Sequence, residues 1–223
     1  MMALPAWQGL RRLCGRNGLV VVAPHPDDEV LGGGGVIAAA AARCSSVHVV
    51  LATDGGASHP EAPRARLAAM RLREIRAALR RLGGARLWSL GLPDGASGAA
   101  ARGLERGTAR LGLLLRLLRP RAVLAPSRQD THPDHRAARA MASRAIRRSP
   151  ILLAEYAMWG PMDGGRMLPV RVGAQTRRRA ALACHVSQLG RAPGGFGAGF
   201  ALPPGHLAMT RRPREIFRLE RAS

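Results

Sequence analysis

Two short clusters of histidine and aspartate contain the side chains of this sequence that are best suited to catalysis. The first, Pro24–Glu29 (PHPDDE), directly follows the apolar run Leu19–Ala23, and the second, Thr131–His135 (THPDH), comes after the apolar run Ala122–Ala125. Polar clusters at the carboxyl ends of strands in an α/β sheet are where ligands bind. We therefore expect the two loops to assemble one metal site.

These residue types match what hydrolysis at a metal ion requires. A catalytic zinc ion has three protein ligands and one position for water, and a carboxylate beside the metal takes the proton of that water. His25 and Asp28 are three residues apart in a predicted turn and can face one ion, while His135 can supply the third ligand. Asp27 is then free to act as the base. His132 can reach the substrate side of the metal and stabilise a developing oxyanion.

Each motif taken alone also has a simpler interpretation. Asp27 or Asp28 could cap a following helix, Asp134 could cap the helix after Pro133, and proline is common in turns. Two clusters at two strand ends favour a site over a pair of caps, and within a site Asp134 could orient a histidine from behind the metal. Two histidines and one carboxylate also describe non-haem iron sites, so Fe²⁺ is the alternative to Zn²⁺.

Four consecutive glycines, Gly32–Gly35, follow the first cluster almost at once. They could form a phosphate-binding loop, but the GxGxxG spacing of dinucleotide sites and the lysine of a P-loop are both missing from the sequence. We therefore expect these glycines to allow close packing of a helix against the sheet.

Apolar strand patterns alternate with helical patterns along the chain, which predicts an α/β fold with a mostly parallel, doubly wound, Rossmann-like sheet. Strands are predicted at Leu19–Ala23, Val47–Ala52, Arg86–Leu90, Ala122–Ala125 and Ile151–Ala154. Helices are predicted from near Glu29 and over Leu67–Arg81, Leu104–Leu118, Asp134–Arg147 and Thr176–Val186. We expect a single domain over residues 1–223, with its core at about 18–190 and a loop-rich segment at 191–223, of which Arg191–Gly205 could cover the site.

The composition bears on possible partners. The formal net charge is +21, and every basic residue is arginine. This charge could mark a surface for nucleic acid or for an anionic membrane, but a GC-rich genome would also enrich arginine, alanine and glycine together. Aromatic residues make up only 3% of the chain, which argues against a surface that stacks single-stranded bases. A non-catalytic binder of an anionic polymer, either nucleic acid or phosphorylated glycan, is the alternative hypothesis to an enzyme.

Cysteine usage and hydropathy bear on location. The three cysteines, Cys14, Cys44 and Cys184, are widely spaced and form no CxxC pair, which fits the reducing cytoplasm. The longest apolar run, Val36–Ala42, is far too short to span a membrane, and we find no signal-peptide pattern. We therefore expect a cytoplasmic protein without a transmembrane segment. The sequence makes no prediction of its oligomeric state.

The paired PHPDDE and HPDH motifs resemble those of the zinc-dependent N-deacetylases known as the PIG-L or LmbE-like family. The resemblance extends from about Gly18 to Gln188. Three further patterns are similar, namely Arg71 and Glu74 ahead of Leu82 and Gly83, the segment Leu92–Gly95, and the segment His185–Gln188. Some family members have a glutamate in the turn after the second strand, where residues 53–56 of this chain read TDGG. The resemblance therefore makes no prediction about how this loop contacts the substrate.

The resemblance implies a role for each of nine residues. The zinc ligands would be His25, Asp28 and His135, and the general base would be Asp27. His132, as a protonated or a neutral imidazole, would stabilise the oxyanion, and Asp134 would tune His132. The residues that bind or adjoin the substrate would be Arg71, Asp94 and His185. For these last three, the simpler alternatives are a solvated helix face, a turn residue and a core histidine, respectively. The implied substrate is an N-acetylated amino sugar, free or lipid-linked, which would lose acetate and leave a free amine. No specific nucleic-acid partner is implied.

Overall fold

Two strands that are buried on both faces form the centre of the fold. In the computed structural model, which describes residues 6–43, 46–95, 101–192 and 194–220, β1 (Leu19–Ala23) and β4 (Ala122–Pro126) are buried along their whole length. Their uninterrupted apolar sequences are typical of parallel strands that helices cover on both sides. The two strands pair in parallel, with Val21 opposite Leu124.

In the described part of the chain, seven strands form one sheet in the order β3-β2-β1-β4-β5-β7-β6. The remaining strands are β2 (Val47–Thr53), β3 (Arg86–Leu92), β5 (Leu152–Tyr156), β6 (Arg166–Arg171) and β7 (Arg214–Glu220). Strands β1 to β5 pair in parallel, whereas β7 pairs antiparallel with β5 on one side and with β6 on the other. The strand order reverses between β1 and β4, so the loops after these two strands diverge and leave a crevice between them.

Helices cover both faces of the sheet. Those of the described residues are α1 (Ala6–Cys14), α2 (Asp28–Ala41), α3 (Arg64–Leu82), α4 (Ala101–Leu118), α5 (Pro133–Ile146), α6 (Gln175–Leu182) and α7 (Pro204–Met209). One apolar core lies between the sheet and helices α1, α2, α3 and α6, and the other lies between the sheet and helices α4 and α5. The predicted single α/β domain with a mostly parallel, doubly wound sheet is confirmed.

The sequence does not predict α1, β6, α7 or β7. Two of these, α7 and β7, lie in the segment 191–223 that was expected to be loop-rich, and β7 is an inner strand, so the core continues past residue 190. The strand pattern of β7 is hidden because Glu215 and Arg218 are buried where apolar residues are expected. Both are paired inside the protein, Glu215 with Arg178 at 3.2 Å and Arg218 with Glu155 at 2.7 Å.

The helix predicted over Thr176–Val186 is shorter in the structure. Helix α6 ends at Leu182, and the chain turns at His185 into a 3₁₀ turn over Val186–Leu189. This early end matters because it directs the side chains of His185 and Ser187 into the protein, where both are fully buried.

The glycine run lies inside α2, where neighbouring side chains approach the helix backbone. A Cβ atom on Gly32 would be 2.5 Å from the ring of Tyr156, and a Cβ atom on Gly35 would be 2.5 Å from Val172. Tyr156 is fixed in place because its hydroxyl donates to the carbonyl oxygen of Val22 at 2.8 Å. The predicted close packing is therefore confirmed.

The sequence predicts no transmembrane segment and no disulfide framework, and the helices and cysteines of the structure bear on these two expectations. No helix among the residues that the structure describes is both long and apolar enough to cross a membrane. Cys14 and Cys184 are free thiols, and Cys44 lies outside the described residues. Burial raises the pKa of the Cys14 thiol to about 12, which makes it a poor nucleophile.

Candidate active site

A cleft of about 390 Å³ opens at the carboxyl ends of β1 and β4. Its polar lining is formed by His25, Asp27, Asp28, Ser58, Arg71, Asp94, His132, Asp134 and Gln188. Its apolar lining is formed by Leu31, Ala57, Trp159, Phe200 and Leu202. The two motif loops thus meet in one cleft, and the loop after the 3₁₀ turn, which was expected to cover the site, supplies Phe200 and Leu202.

Asp28 lies between the two histidines with which it is expected to share a metal ion. Its Oδ2 atom is 3.4 Å from Nδ1 of His25 and 3.2 Å from Nε2 of His135. His25, His135 and His132 also place ring nitrogens within 4.8 Å of one another. Atoms at such distances can converge on one ion, because zinc–ligand bonds to nitrogen and oxygen are about 2.0–2.2 Å long. The contacts of Asp28 thus bring the three predicted ligands next to one another, whereas the group of three histidines includes His132, so the choice of ligands stays a prediction.

The Nε2 atom of His135 shows that these residues fit a metal ion. This atom is buried and forms no hydrogen bond with any residue that the structure describes, although Oδ2 of Asp28 is only 3.2 Å away. Buried polar atoms are nearly always hydrogen-bonded. A divalent cation held between the imidazole and the carboxylate would satisfy both groups.

The far nitrogen of each of these histidines contacts a further carboxylate. Nε2 of His25 is 3.1 Å from Oδ2 of Asp134, and Nδ1 of His135 is 3.1 Å from Oδ2 of Asp130. Histidines that bind metals commonly donate their other N–H to a carboxylate, which fixes the ring. The expected contact of Asp134 with a histidine is present, because its carboxylate contacts His25 and its backbone N–H bonds to Nδ1 of His132. Its charge also raises the pKa of His132, although burial and the charges of His25 and His135 outweigh it, so a tuning role stays a prediction.

Carboxylates around His25 and His135 favour the protonated, positively charged form of each ring. Burial lowers the pKa of His25, but its hydrogen bonds with Asp134 and Asp28 outweigh burial and raise the pKa well above the ordinary value. Burial likewise lowers the pKa of His135, whereas the charge of Asp28 and the hydrogen bond with Asp130 raise it to about 9 overall. A metal ion can take the place of the protons that these carboxylates stabilise.

The carboxylate of Asp27 is available for chemistry. Asp27 occupies the N-cap position of α2 but makes no side-chain capping hydrogen bond. Burial, followed by the charge of Asp28, raises its pKa to about 7, although the charge of Arg71 opposes this shift. Nη2 of Arg71 is 3.8 Å from Oδ1 of Asp27. A carboxyl group with a pKa near neutrality beside a metal ligand is suited to act as a general base.

His132 presents a defined tautomer to the cleft. Its Nδ1 atom accepts a hydrogen bond from the backbone N–H of Asp134 at 3.2 Å, so the ring proton belongs on Nε2. Burial, followed by the charges of His25 and His135, lowers the pKa of His132. Of the two forms considered from the sequence, the structure favours the neutral imidazole, which has one N–H to donate.

Arg71 and Asp94 adjoin the cleft and hold its loops. The Nη1 and Nη2 atoms of Arg71 donate to the carbonyl oxygens of Gly55 and Pro26 at 2.9 and 2.6 Å, so Arg71 is not on a solvated helix face. Oδ1 of Asp94 is 3.3 Å from Nε2 of His25. Both side chains reach the cleft lining, where a contact with substrate stays a prediction.

His185 does not lie where a substrate could reach it. The side chain is fully buried and is not part of the cleft lining. Its Nε2 atom is 2.8 Å from Oε1 of Glu29, the last residue of the PHPDDE motif. The expected substrate contact is therefore corrected to a contact inside the protein, behind the motif loop.

Sequence reasoning assigns no role to Asp130, Glu29, Trp159 or Phe200. Asp130 carried a usable signal, because it also follows the apolar run of β4, five residues before His135. Trp159 and Phe200 belong to no motif, and their rings meet edge to face with centroids 5.8 Å apart only because distant loops converge at the cleft.

Comparison with known proteins identifies the family. Residues 20–146 match the profile of the family described as PIG-L, GlcNAc-PI de-N-acetylase. This match covers more than half of the chain and includes both histidine–aspartate motifs. The chain belongs to the PIG-L family. A comparison of the sequence with curated proteins finds no match.

Solved structures similar to this PIG-L family protein cover nearly the whole chain. The conserved protein TT1542 from Thermus thermophilus is 30% identical, with a TM-score of 0.70 over 92% of this chain and 95% of that chain. N,N'-diacetylchitobiose deacetylase from Pyrococcus horikoshii is 21% identical, with a TM-score of 0.71 over 91% and 83% of the two chains. The 4-carboxy-2-hydroxymuconate hydratase GalB from Pseudomonas putida is 19% identical, with a TM-score of 0.68 over 91% and 94%. Because a deacetylase and a hydratase share this fold, the reaction has to be argued from the site.

Proposed function

We propose that this PIG-L family protein is a metal-dependent hydrolase that removes the acetyl group from an N-acetylated amino sugar, releasing acetate and a free amine. The observation that carries the proposal is the convergence of the two motif loops: the buried Nε2 atom of His135 lies 3.2 Å from Oδ2 of Asp28, and Asp28 lines one cleft together with His25 and Asp27. The family description and the deacetylase among the similar structures support the substrate class.

The proposed ligands of the metal ion are His25, Asp28 and His135. Zn²⁺ is the proposed ion, with Fe²⁺ as the alternative. When bound, the ion would supply an activated water molecule and polarise the amide carbonyl group. The contacts of Asp134 with His25 and of Asp130 with His135 hold the two rings in place for binding.

Asp27 is the proposed general base. Its carboxylate takes the proton of the attacking water, and the resulting carboxylic acid then returns this proton to the amine nitrogen as the C–N bond breaks. Burial and the charge of Asp28 raise the pKa of this carboxyl group above its ordinary value, which helps it to hold the proton between the two transfers.

His132 is the proposed donor to the oxyanion. Its Nε2–H donates to the former carbonyl oxygen as negative charge develops there. The backbone N–H of Asp134 occupies Nδ1, so the ring keeps the tautomer that donates. No proton needs to leave His132 for this stabilisation to act.

The lining of the cleft suits a sugar ring, which has both hydroxyl groups and apolar C–H faces. Asp94 is proposed to bond to hydroxyl groups, Arg71 lines the same cleft while its Nη atoms donate to the backbone, and Trp159 and Phe200 offer aromatic surface to the ring. The substrate is therefore proposed to be a free or a lipid-linked amino sugar that enters along this wall.

The direct test is acetate release from a panel of N-acetylglucosamine glycosides by protein loaded with Zn²⁺ or Fe²⁺. We expect release by the native protein and a large loss for the Asp27→Asn variant, which keeps the size of the side chain. A protein that takes up metal but releases no acetate from any of these compounds would refute the proposed activity.

The arginine-rich composition does not require a nucleic-acid partner. Several arginines are used inside the protein; Arg139 and Arg218 both pair with Glu155, and Arg178 pairs with Glu215. The competing hypothesis of an anionic-polymer binder would be supported by a nanomolar, sequence-dependent complex with duplex DNA at about 0.15 M salt that survives His25→Ala. We expect instead weak, salt-sensitive binding that leaves acetate release unchanged.

A further inference from the structure

The proposed base, Asp27, has a backbone conformation that a residue with a side chain rarely adopts. Its φ angle is 125° and its ψ angle is −30°, in a region that is easily reached only by glycine. Such strain persists in a protein only where surrounding contacts hold it, and it is concentrated at functional sites.

The peptide bond between Pro26 and Asp27 is held at both of its polar ends. Its N–H group donates to Oε2 of Glu29 at 2.9 Å, and its carbonyl oxygen accepts from Nη2 of Arg71 at 2.6 Å. Both of these charged side chains are buried, with exposed fractions of 0% for Glu29 and 2% for Arg71. The orientation of this peptide is therefore fixed by two charged groups on opposite sides.

Glu29 is itself held by a residue from a distant part of the chain. Nε2 of His185 is 2.8 Å from Oε1 of Glu29, and both side chains are fully buried. The two oxygens of one carboxylate thus connect His185 to the backbone of Asp27. His185 reaches this place because α6 ends at Leu182 and the chain turns inward.

We propose that Glu29, Arg71 and His185 form a clamp, a set of positioning residues that hold the Pro26–Asp27 peptide in its strained conformation and so set the place of the Asp27 carboxylate. This inference rests on the proposed role of Asp27 as the general base. The proposal gives His185, which cannot touch the substrate, a function in the reaction.

The main test compares two variants of Glu29 in metal-loaded protein. Glu29→Ala removes the acceptor of the Asp27 N–H, and we expect kcat to fall by about 10²-fold, as for a catalytic group displaced by about 1 Å, with KM and metal content little changed. Glu29→Gln keeps an acceptor oxygen and should recover most of this loss. A Glu29→Ala enzyme with a native kcat, or a Glu29→Gln enzyme as slow as Glu29→Ala, would overturn the proposal.

A matched control separates positioning from general loss of stability. Glu215 is also a buried carboxylate that accepts backbone N–H groups of α2, those of Gly35 and Val36, and it also has a cationic partner, Arg178. Glu215→Ala should lower Tm but leave the kcat of the folded protein within about twofold. A kcat loss in this control as large as that in Glu29→Ala would count against the proposal.

A double-mutant cycle gives a readout that a purely structural role would not affect. In an Asp27→Asn background the base is already missing, so adding Glu29→Ala should lower the residual rate by no more than about twofold. An equal loss in both backgrounds would show that Glu29 does not act through Asp27. If Glu29→Ala does not fold, His185→Phe, which leaves Glu29 without its partner, takes its place in the cycle.

A failure of the clamp proposal can be distinguished from a failure of the proposed deacetylase activity. If native protein releases no acetate, the proposed function fails, and the clamp is then judged from crystal structures of the native and Glu29→Ala proteins loaded with Zn²⁺. We expect Asp27 to have φ near its present value in the former and to leave the left-handed region in the latter. An unchanged φ in Glu29→Ala would overturn the clamp by itself.

Discussion

The Nε2 atom of His135 lies 3.2 Å from Oδ2 of Asp28, and the two atoms face each other in a fully buried place without a hydrogen bond between them. A proton or a cation has to occupy such a gap, because leaving a buried polar atom unpaired costs about 1–3 kcal/mol. Since Nδ1 of the same ring already contacts Asp130, Nε2 is the atom through which His135 would hold an ion.

The first prediction follows from this pair. Replacing His135 with alanine should remove both bound metal and acetate release, because three protein ligands are the usual minimum for a metal site that keeps a position open for water. Metal content is measured by elemental analysis after dialysis. As a graded comparison, Asp130→Asn should keep the site but weaken metal affinity by about 10–100-fold. His135→Ala protein with native metal content would show that the ligands are assigned wrongly.

The second prediction separates the base from the ligands. Asp27→Asn should retain metal and lose turnover by about 10²–10⁴-fold, the usual contribution of a positioned general base. Single-turnover acetate release and metal content are measured on the same sample. A variant that stays within about tenfold of the native rate would rule out Asp27 as the base.

The third prediction concerns the donor to the oxyanion. His132→Ala should lower kcat by about 10²–10³-fold with little change in KM, because the hydrogen bond strengthens only as charge develops in the transition state. Steady-state kinetics on one glycoside give both constants. A rise in KM with an unchanged kcat would instead assign His132 to binding of the ground-state substrate.

The fourth prediction is a titration of Asp27 in metal-free protein. Burial and the charge of Asp28 raise its pKa from 3.8 to about 7, so the group is protonated below neutral pH and becomes a carboxylate above it. The carboxyl ¹³C shift should therefore titrate near neutrality. Added Zn²⁺ should lower the midpoint because a nearby cation favours the carboxylate, and Arg71→Met should raise it because a positive charge is lost. A midpoint close to the ordinary value of 3.8 in metal-free protein would contradict this assignment.

The fifth prediction tests the packing of α2 with two adjacent glycines. Gly32→Ala should lower the free energy of unfolding by about 1–3 kcal/mol, because its Cβ would be 2.5 Å from the ring of Tyr156. Gly33→Ala is the matched control, since its Cβ would be at an ordinary 3.5 Å from Leu124. Alanine is a better helix former by about 1 kcal/mol, so Gly33→Ala should be neutral or stabilising. Denaturant unfolding is expected to show a loss of stability for Gly32→Ala and none for Gly33→Ala.

The central strands could be predicted from sequence because their local pattern and their environment agree. The residues of β1 are all apolar, both faces of the strand are covered, and the predicted bounds equal the observed ones. Strand β7 could not be predicted in this way, because Glu215 and Arg218 are stabilised by partners far away in the sequence. A local pattern carries no information about such pairing.

The same distinction applies to the site. The PHPDDE and HPDH motifs contain the proposed ligands, base and oxyanion donor at recognisable spacings, and the structure gathers them in one place. The contacts that orient them are less accessible to sequence reasoning. Glu29 and His185 are 156 positions apart, and their contact depends on where α6 ends, which the helical pattern overestimates.

The position of β7 between β5 and β6 has a consequence for synthesis of the protein on the ribosome. Glu155 of β5 is 63 residues ahead of its partner Arg218 in β7. At a translation rate of about 5–20 residues per second, β5 is made roughly 3–13 s before the strand that covers its edge. An open strand edge can pair with another chain. The growing polypeptide, more than the completed protein, is therefore the species that a chaperone should protect from aggregation.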